Sequence, residues 1–283
     1  MMTKNNRGGL IAGIIVLFLI AASLGVFLVF AIGHFGGFNF GGFSLGESDR
    51  LALEKEFELD NVNLISSDSD AANIHISKST DGAEKVKVRI LAEEKVTVSA
   101  EKNDSSIDIY AKEECHFICF GQKKSTIDIV LPENYEGDFK IKSDAGDIDI
   151  DDFEKASLDL NADAGNNKIG KLKAIAVNVD AGKVEIEGAE NINAEIDAGD
   201  LRINECTNKL YVKNDTGNVE IDNLSLKEDS TVIVDVGNIK INNVGDVRVD
   251  VNKSVGNSSV NGGNPKADVN LTVKADVGNI DIR

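Results

Sequence analysis

Val177 to Ile203 reads VNVDAGKVEIEGAENINAEIDAGDLRI. It carries the same core twice, Asp180-Ala181-Gly182 and Asp197-Ala198-Gly199, each flanked by apolar residues that alternate with polar ones. Alternation with period two marks a strand with one buried face and one wet face. Outward from this stretch the core recurs as Asp144-Ala145-Gly146-Asp147, Asp163-Ala164-Gly165-Asn166, Asp215-Thr216-Gly217-Asn218, Asp235-Val236-Gly237-Asn238 and Asp276-Val277-Gly278-Asn279, with a degenerate copy at Ser254-Val255-Gly256-Asn257. The glycines Gly146, Gly165, Gly182, Gly199, Gly217, Gly237, Gly256 and Gly278 are 19, 17, 17, 18, 20, 19 and 22 residues apart. So narrow a period is a structural repeat.

The flanks say what the repeat builds. Apolar residues sit two and four places after the glycine, as at Val184 and Ile186 or Ile239 and Ile241. They return one and five places before it, as at Ala181 and Val177 or Val236 and Val232. The phase slips by one across the glycine, so the glycine marks a bend between two strands, a place that tolerates φ > 0 only without a side chain. A unit of this length cannot bury its apolar face alone, but stacked copies make one continuous core. The expected fold is all-β: a β-solenoid of about eight coils (135–283), with a β-sandwich ranked second. Asn214 and Lys253 stand three places before a glycine, where other coils carry Val179, Ile196 or Val234. A hydrogen-bonded Asn or a local distortion is expected there, and a dry coil enclosing an unpaired Lys253 amine would overturn this register.

Before the repeats, residues 51–134 alternate less regularly, and Asp70-Ala71-Ala72-Asn73 matches the corner with Ala72 in the glycine place. This region is expected to form wider coils that cap the solenoid. At the other end the last repeat stops at Arg283, so its outer edge is expected to be short and charged or paired with a partner.

Leu10 to Ile32 is 23 residues of apolar side chains, Gly and Ser without a charge, about 34 Å as a helix and enough to span a bilayer. It reads as a single-pass transmembrane anchor, since signal-peptide cores are shorter; cleavage near Val29-Phe30-Ala31 is the alternative. Lys4 and Arg7 in the tail 1–9 place the N-terminus in the cytoplasm and the β-domain outside. Residues 33–50 make a linker rich in Gly and Phe. The net charge is −18, and residues 1–50 carry +1, which leaves −19 on the remainder. Such a domain excludes nucleic acid as a partner and is repelled by anionic headgroups.

Ile127-Asp128-Ile129-Val130-Leu131-Pro132, followed by Phe139 to Ile150 (FKIKSDAGDIDI), resembles a known bacterial family: the adhesin-like β-strand repeat proteins called toast-rack, domain of unknown function 4097. The resemblance covers about Leu51 to Arg283. It implies a solenoid-like β-domain, often tethered by a transmembrane segment in the cell envelope, with some relatives tied to envelope-stress systems. It implies no catalytic residue and no cofactor.

The aspartates Asp144, Asp163, Asp180, Asp197, Asp215, Asp235 and Asp276 should stack in one row. Adjacent carboxylates repel, which a hard cation would relieve, but turn aspartates ordinarily accept backbone hydrogen bonds. The local reading is favoured, because Lys183 interrupts the corners and no nine-residue calcium repeat is present. The asparagines Asn166, Asn218, Asn238, Asn257 and Asn279 read the same way. Cys115 and Cys119 suit a small-loop disulfide pinning a hairpin; zinc at Cys115, His116 and Cys119 lacks a fourth ligand, while Phe117, Ile118 and Phe120 suit a contact patch. Cys206 reads as a small residue near the core. The histidines His34, His75 and His116 lie outside the regular coils, and the acids fall equally on every coil, as on a solvated face, so an enzyme is not expected. Two functions fit: a non-catalytic envelope scaffold binding a protein or glycan, or a regulatory partner contacting other membrane proteins through its transmembrane helix.

Overall fold

The computed structural model describes residues 50–80, 82, 84–113 and 125–283, all within one compact unit, Ser48–Arg283. Among these residues the secondary structure is β, with no helix. The span 10–32, the linker to residue 49, and Cys115, Phe117, Ile118, Cys119 and Phe120 lie outside the described residues.

Each coil contributes a strand before its corner and a shorter one after it, for example Asp138–Ala145 and Ile148–Ile150. Successive coils pair in parallel: Phe139 lies beside Leu158, Ile148 beside Asn167, Val219 beside Leu201, and Val232 beside Val212. The buried residues are those three and five places before the glycine and two and four after it: Val177 and Val179, then Val184 and Ile186. The place directly before the glycine, expected with the buried set, faces water. Val236 is 50% exposed and Val277 48%. The chain has already begun to turn at the aspartate, so the next side chain swings outward and the phase slip falls there.

The coils do not stack in chain order. Each corner glycine lies against the main-chain carbonyl of its neighbour, and these contacts run Ala72, Gly146, Gly165, Gly182, Gly199, Gly217, Gly237, Gly278, Gly256. The coil formed by Asn270–Val277 and Ile280–Ile282 is thus inserted between the Gly237 coil and the coil formed by Arg248–Val255 and Ser258–Val260. The other end repeats the device: Leu64–Lys78 lies between Ser106–Glu113 with Ser125–Leu131 on one side and Asp138–Ala145 with Ile148–Ile150 on the other. The expected outer edge at Arg283 is therefore corrected: among the described residues the degenerate Gly256 coil is outermost. Ala72 does hold the glycine place, as read from the sequence.

Beyond Leu64–Lys78 the cap adds one more parallel coil, Ser106–Glu113 with Ser125–Leu131, and is then finished by antiparallel strands that the sequence does not announce. Arg50–Glu58 pairs with Lys85–Ala92, which pairs with Ser125–Leu131, while Val96–Lys102 pairs with Ser106–Glu113. Two lysines tie the edge strands together: Lys55 Nζ donates to Ala100 O at 2.7 Å and Lys102 Nζ to Glu58 O at 2.6 Å. Lysines on an edge also discourage pairing with another chain.

The register test comes out as expected. Asn214 is fully buried and donates from Nδ2 to Gly199 O at 2.9 Å. Lys253 is exposed on the outermost coil and donates to Gly256 O at 2.8 Å. Cys206 is buried with its thiol 3.3 Å from Lys209 O, and burial pushes its pKa up to about 11.

Asn167 contrasts with Asn214, whose Nδ2 is bonded. It occupies a buried apolar place between Ile148 and Val184, and neither of its amide atoms has a hydrogen-bond partner. An unsatisfied buried polar group costs about 1–3 kcal/mol. Asn167→Val is therefore expected to raise unfolding stability by that order, seen as a higher urea midpoint at unchanged m-value. A lower midpoint would mean that an internal water satisfies the amide.

Candidate functional site

The corner column explains two letters of the repeat. A Cβ at the corner glycines from Gly146 onward in the stack would lie 1.6–2.0 Å from the neighbouring corner's carbonyl oxygen, and their φ angles run from +129° to +156°. Only glycine admits that approach. The turned peptide also leaves the next residue's N–H without a strand carbonyl, and a side chain from the adjacent coil supplies the acceptor. Asn166 N donates to Asp147 Oδ1 at 2.8 Å, Asn218 N to Asp200 Oδ1 at 2.9 Å, Asn238 N to Asn218 Oδ1 at 3.2 Å, and Asn279 N to Asn238 Oδ1 at 3.1 Å. The side-chain amides of the same four asparagines reinforce each rung. The corner asparagines thus form ladders between coils, where the sequence reading saw only turn tolerance. Aspartate can accept but not donate. Asp200 accordingly starts a new ladder next to Lys183, which has no acceptor to offer it.

The seven repeat aspartates form one row in register, exposed or half-buried. Lys213 bonds Asp215 at 2.7 Å and Lys274 bonds Asp276 at 2.9 Å, and each contact raises the lysine's pKa through its hydrogen bond to the carboxylate. Among the described residues no three His, Cys, Asp or Glu converge as metal ligands.

A second row, three places after the corner, carries charge along the stack. In spatial order it runs Glu54, Arg89, Asp128, His75, Asp149, Lys168, Glu185, Arg202, Glu220, Lys240, Asp281. Acid alternates with base throughout, with His75 in a basic place. In chain order Asp128 and Asp149 would be neighbours; insertion of Leu64–Lys78 sets His75 between them. Within the row Lys240 meets Glu220 at 2.6 Å and Arg202 meets Glu220 at 3.7 Å. Such exposed pairs are individually weak and salt-screened, so the row tunes register more than it adds stability.

Several hollows open along the stack among the described residues. One, of about 500 Å³, is acidic, with Asp149, Asp151, Asp152, Glu185 and Glu187 beside Lys78 and Lys168. Two of its carboxylates already accept backbone N–H groups: Asp151 from Lys78 at 3.0 Å and Asp152 from Lys171 at 2.6 Å. Another, of about 460 Å³, is a trough on the outward face of four successive strands, lined by Ser66, Asp68, Lys142, Asn161, Asn178 and Asp180 among others. It adjoins a further hollow of about 210 Å³ at Asp159, Asn193 and Glu195. Its lining balances acids, lysines and amides at the spacing of adjacent strands, about 4.8 Å. No sequence signal marks it, because its rows are assembled from residues a whole coil apart.

A family model described as Toastrack DUF4097 matches residues 56–283. None of the curated proteins matches the chain. Among solved structures, a "putative adhesin" from Bacteroides fragilis is similar at 18% identity and a TM-score of 0.48, over 83% of this chain and 98% of that one. Another "putative adhesin", from Parabacteroides distasonis, is similar at 13% identity and a TM-score of 0.42, over 83% and 98%. A "putative lipid binding protein" from the same species is similar at 11% identity and a TM-score of 0.35, over 80% and 96%.

Proposed function

We propose, from the premise that the chain belongs to the Toastrack DUF4097 family, that it is a non-catalytic binding module of the cell envelope, held at the membrane by residues 10–32. The observation that carries this reading is the trough across four coils, a strip of acids, lysines and amides repeated at strand spacing. Repeated donors and acceptors on a rigid floor suit an extended chain with repeating polar groups, a glycan or a protein segment, better than a compact small molecule. Asn161 and Asn178 are central and exposed, so removing their amides should weaken binding without disturbing the core. With the full chain immobilised and challenged by purified envelope polysaccharide and by envelope proteins, Asn161→Ala/Asn178→Ala is expected to lower affinity by about tenfold, the worth of one or two hydrogen bonds. Unchanged binding by the folded double variant would remove the trough from the reading.

A second reading, a regulator acting through other membrane proteins, draws on the uninterrupted apolar run Leu10 to Ile32. Crosslinking in native membranes separates the two. Capture of a membrane protein through residues 10–32 supports the regulator, while capture through the β-domain alone supports the binding module.

A further inference from the structure

We propose that the Gly256 coil is an end-stop, built so that a second copy of this chain cannot pair with the exposed edge of the stack. An interior coil receives its neighbour in three ways. It presents a corner carbonyl against which the next glycine closes, as Gly237 O does to Gly278. It presents inward apolar residues on both sides of the corner, such as Val234 and Ile239. It also presents one member of the alternating charge row.

The outermost coil occupies the first, replaces the second at the two inward places nearest the corner, and drops the third. Gly278 O lies against Gly256, no further corner glycine among the described residues closes on Gly256 O, and Lys253 Nζ occupies that carbonyl at 2.8 Å. Lys253 itself stands where interior coils place Val179, Ile196 or Val234. Ser258 stands in the place of Ile239 and Ile280, and the charge row ends on neutral Ser259 beside Asp281. Arg248–Val255 and Ser258–Val260 pair with no further strand among the described residues, so the main chain there is open to one. A strand added at this edge would have to strip the Lys253 amine from its carbonyl and cover it, and a buried, unpaired ammonium is prohibitive. An unconstrained outer coil would vary anywhere along its length. Here the polar changes fall on the two inward places nearest the corner, Lys253 and Ser258, while the inward Val251 and Val260 farther from it are kept and Asn257 N still bonds Asn279 Oδ1 at 3.1 Å.

The test uses the full chain purified in detergent and followed by sedimentation velocity over a wide concentration range, with hydrogen exchange on residues 248–260. The parent is expected to sediment as one species at every concentration. Lys253→Val/Ser258→Ile is expected to shift to dimers or larger species as concentration rises, with slowed exchange confined to 248–260. Lys253→Ala, which removes the amine without adding bulk, should do the same at higher concentration and stands in for the double variant if that fails to fold. Parent protein that self-associates with protection at 248–260 would overturn the proposal. So would folded variants that stay monomeric, or that associate without protection there.

Discussion

Gly217→Ala is expected to destabilise the domain by more than about 4 kcal/mol, enough to leave much of the chain unfolded at ambient temperature. The added Cβ would lie 1.8 Å from Gly199 O, a main-chain atom that two strands hold in place, and φ at Gly217 is +143°. The strain cannot be relieved locally. Moving Gly199 disturbs its contact with Gly182, and moving Gly217 disturbs its contact with Gly237, because both neighbours sit in the same column at 1.7 Å by the same measure. The comparison is Gly188→Ala, where the new Cβ would be 3.3 Å from the side chain of Glu205 and no positive φ is required. That change should alter stability by less than about 1 kcal/mol, since glycine also costs entropy that alanine recovers. Urea unfolding of both variants beside the parent is the measurement. If Gly217→Ala unfolds within 1 kcal/mol of the parent, the corner is not the close-packed column described above.

The repeat, its corners and the strands on either side were legible because they are local. A glycine at a fixed period and alternation of period two each report on a few consecutive residues. Asn214 and Lys253 stand out for the same reason, as polar residues in an apolar place. The reading went wrong where the answer depends on neighbours in space. Val236 and Val277 sit in phase with the buried residues before them, and only the turn at the preceding aspartate shows that they point outward. The corner asparagines reveal their purpose only once one coil lies on another, since each rung joins residues roughly a coil apart and the rung from Asn238 to Asn279 crosses 41 residues. The trough and the charge row are assembled the same way. Stacking order is hardest of all, because each coil offers nearly the same inward face to any other. Two cues were nonetheless in the sequence: a lysine at an inward place, which no interior coil could hold, and a row of charges that alternates only when Leu64–Lys78 and Asn270–Ile282 are inserted.

The insertion makes the second large prediction, because two deletions should rank opposite to their order in the chain. Removing residues 265–283 takes away the coil that carries Leu271, Val273, Ala275, Ile280 and Ile282, each at most 1% exposed. At about 1.5–3 kcal/mol for each large apolar side chain withdrawn from water, the loss is comparable to the whole stability of a typical domain. It also leaves the Gly237 coil with only the Lys253-bearing coil to cover it, and that coil cannot move inward without burying the amine. Removing residues 248–263 instead takes away only the exposed outer coil. The cut ends are already neighbours, since Asn264 N donates to Val247 O at 2.7 Å, so the chain can be rejoined with little displacement. The 248–263 deletion should therefore fold and melt cooperatively near the parent, though with the apolar inward residues of the Gly278 coil newly uncovered and a tendency to associate. The 265–283 deletion should lose cooperative unfolding or fail to fold. If stacking followed chain order the ranking would reverse, with residues 265–283 dispensable as an outer coil and residues 248–263 essential as an inner one. Thermal unfolding by circular dichroism decides between the two orders without any knowledge of what the protein binds.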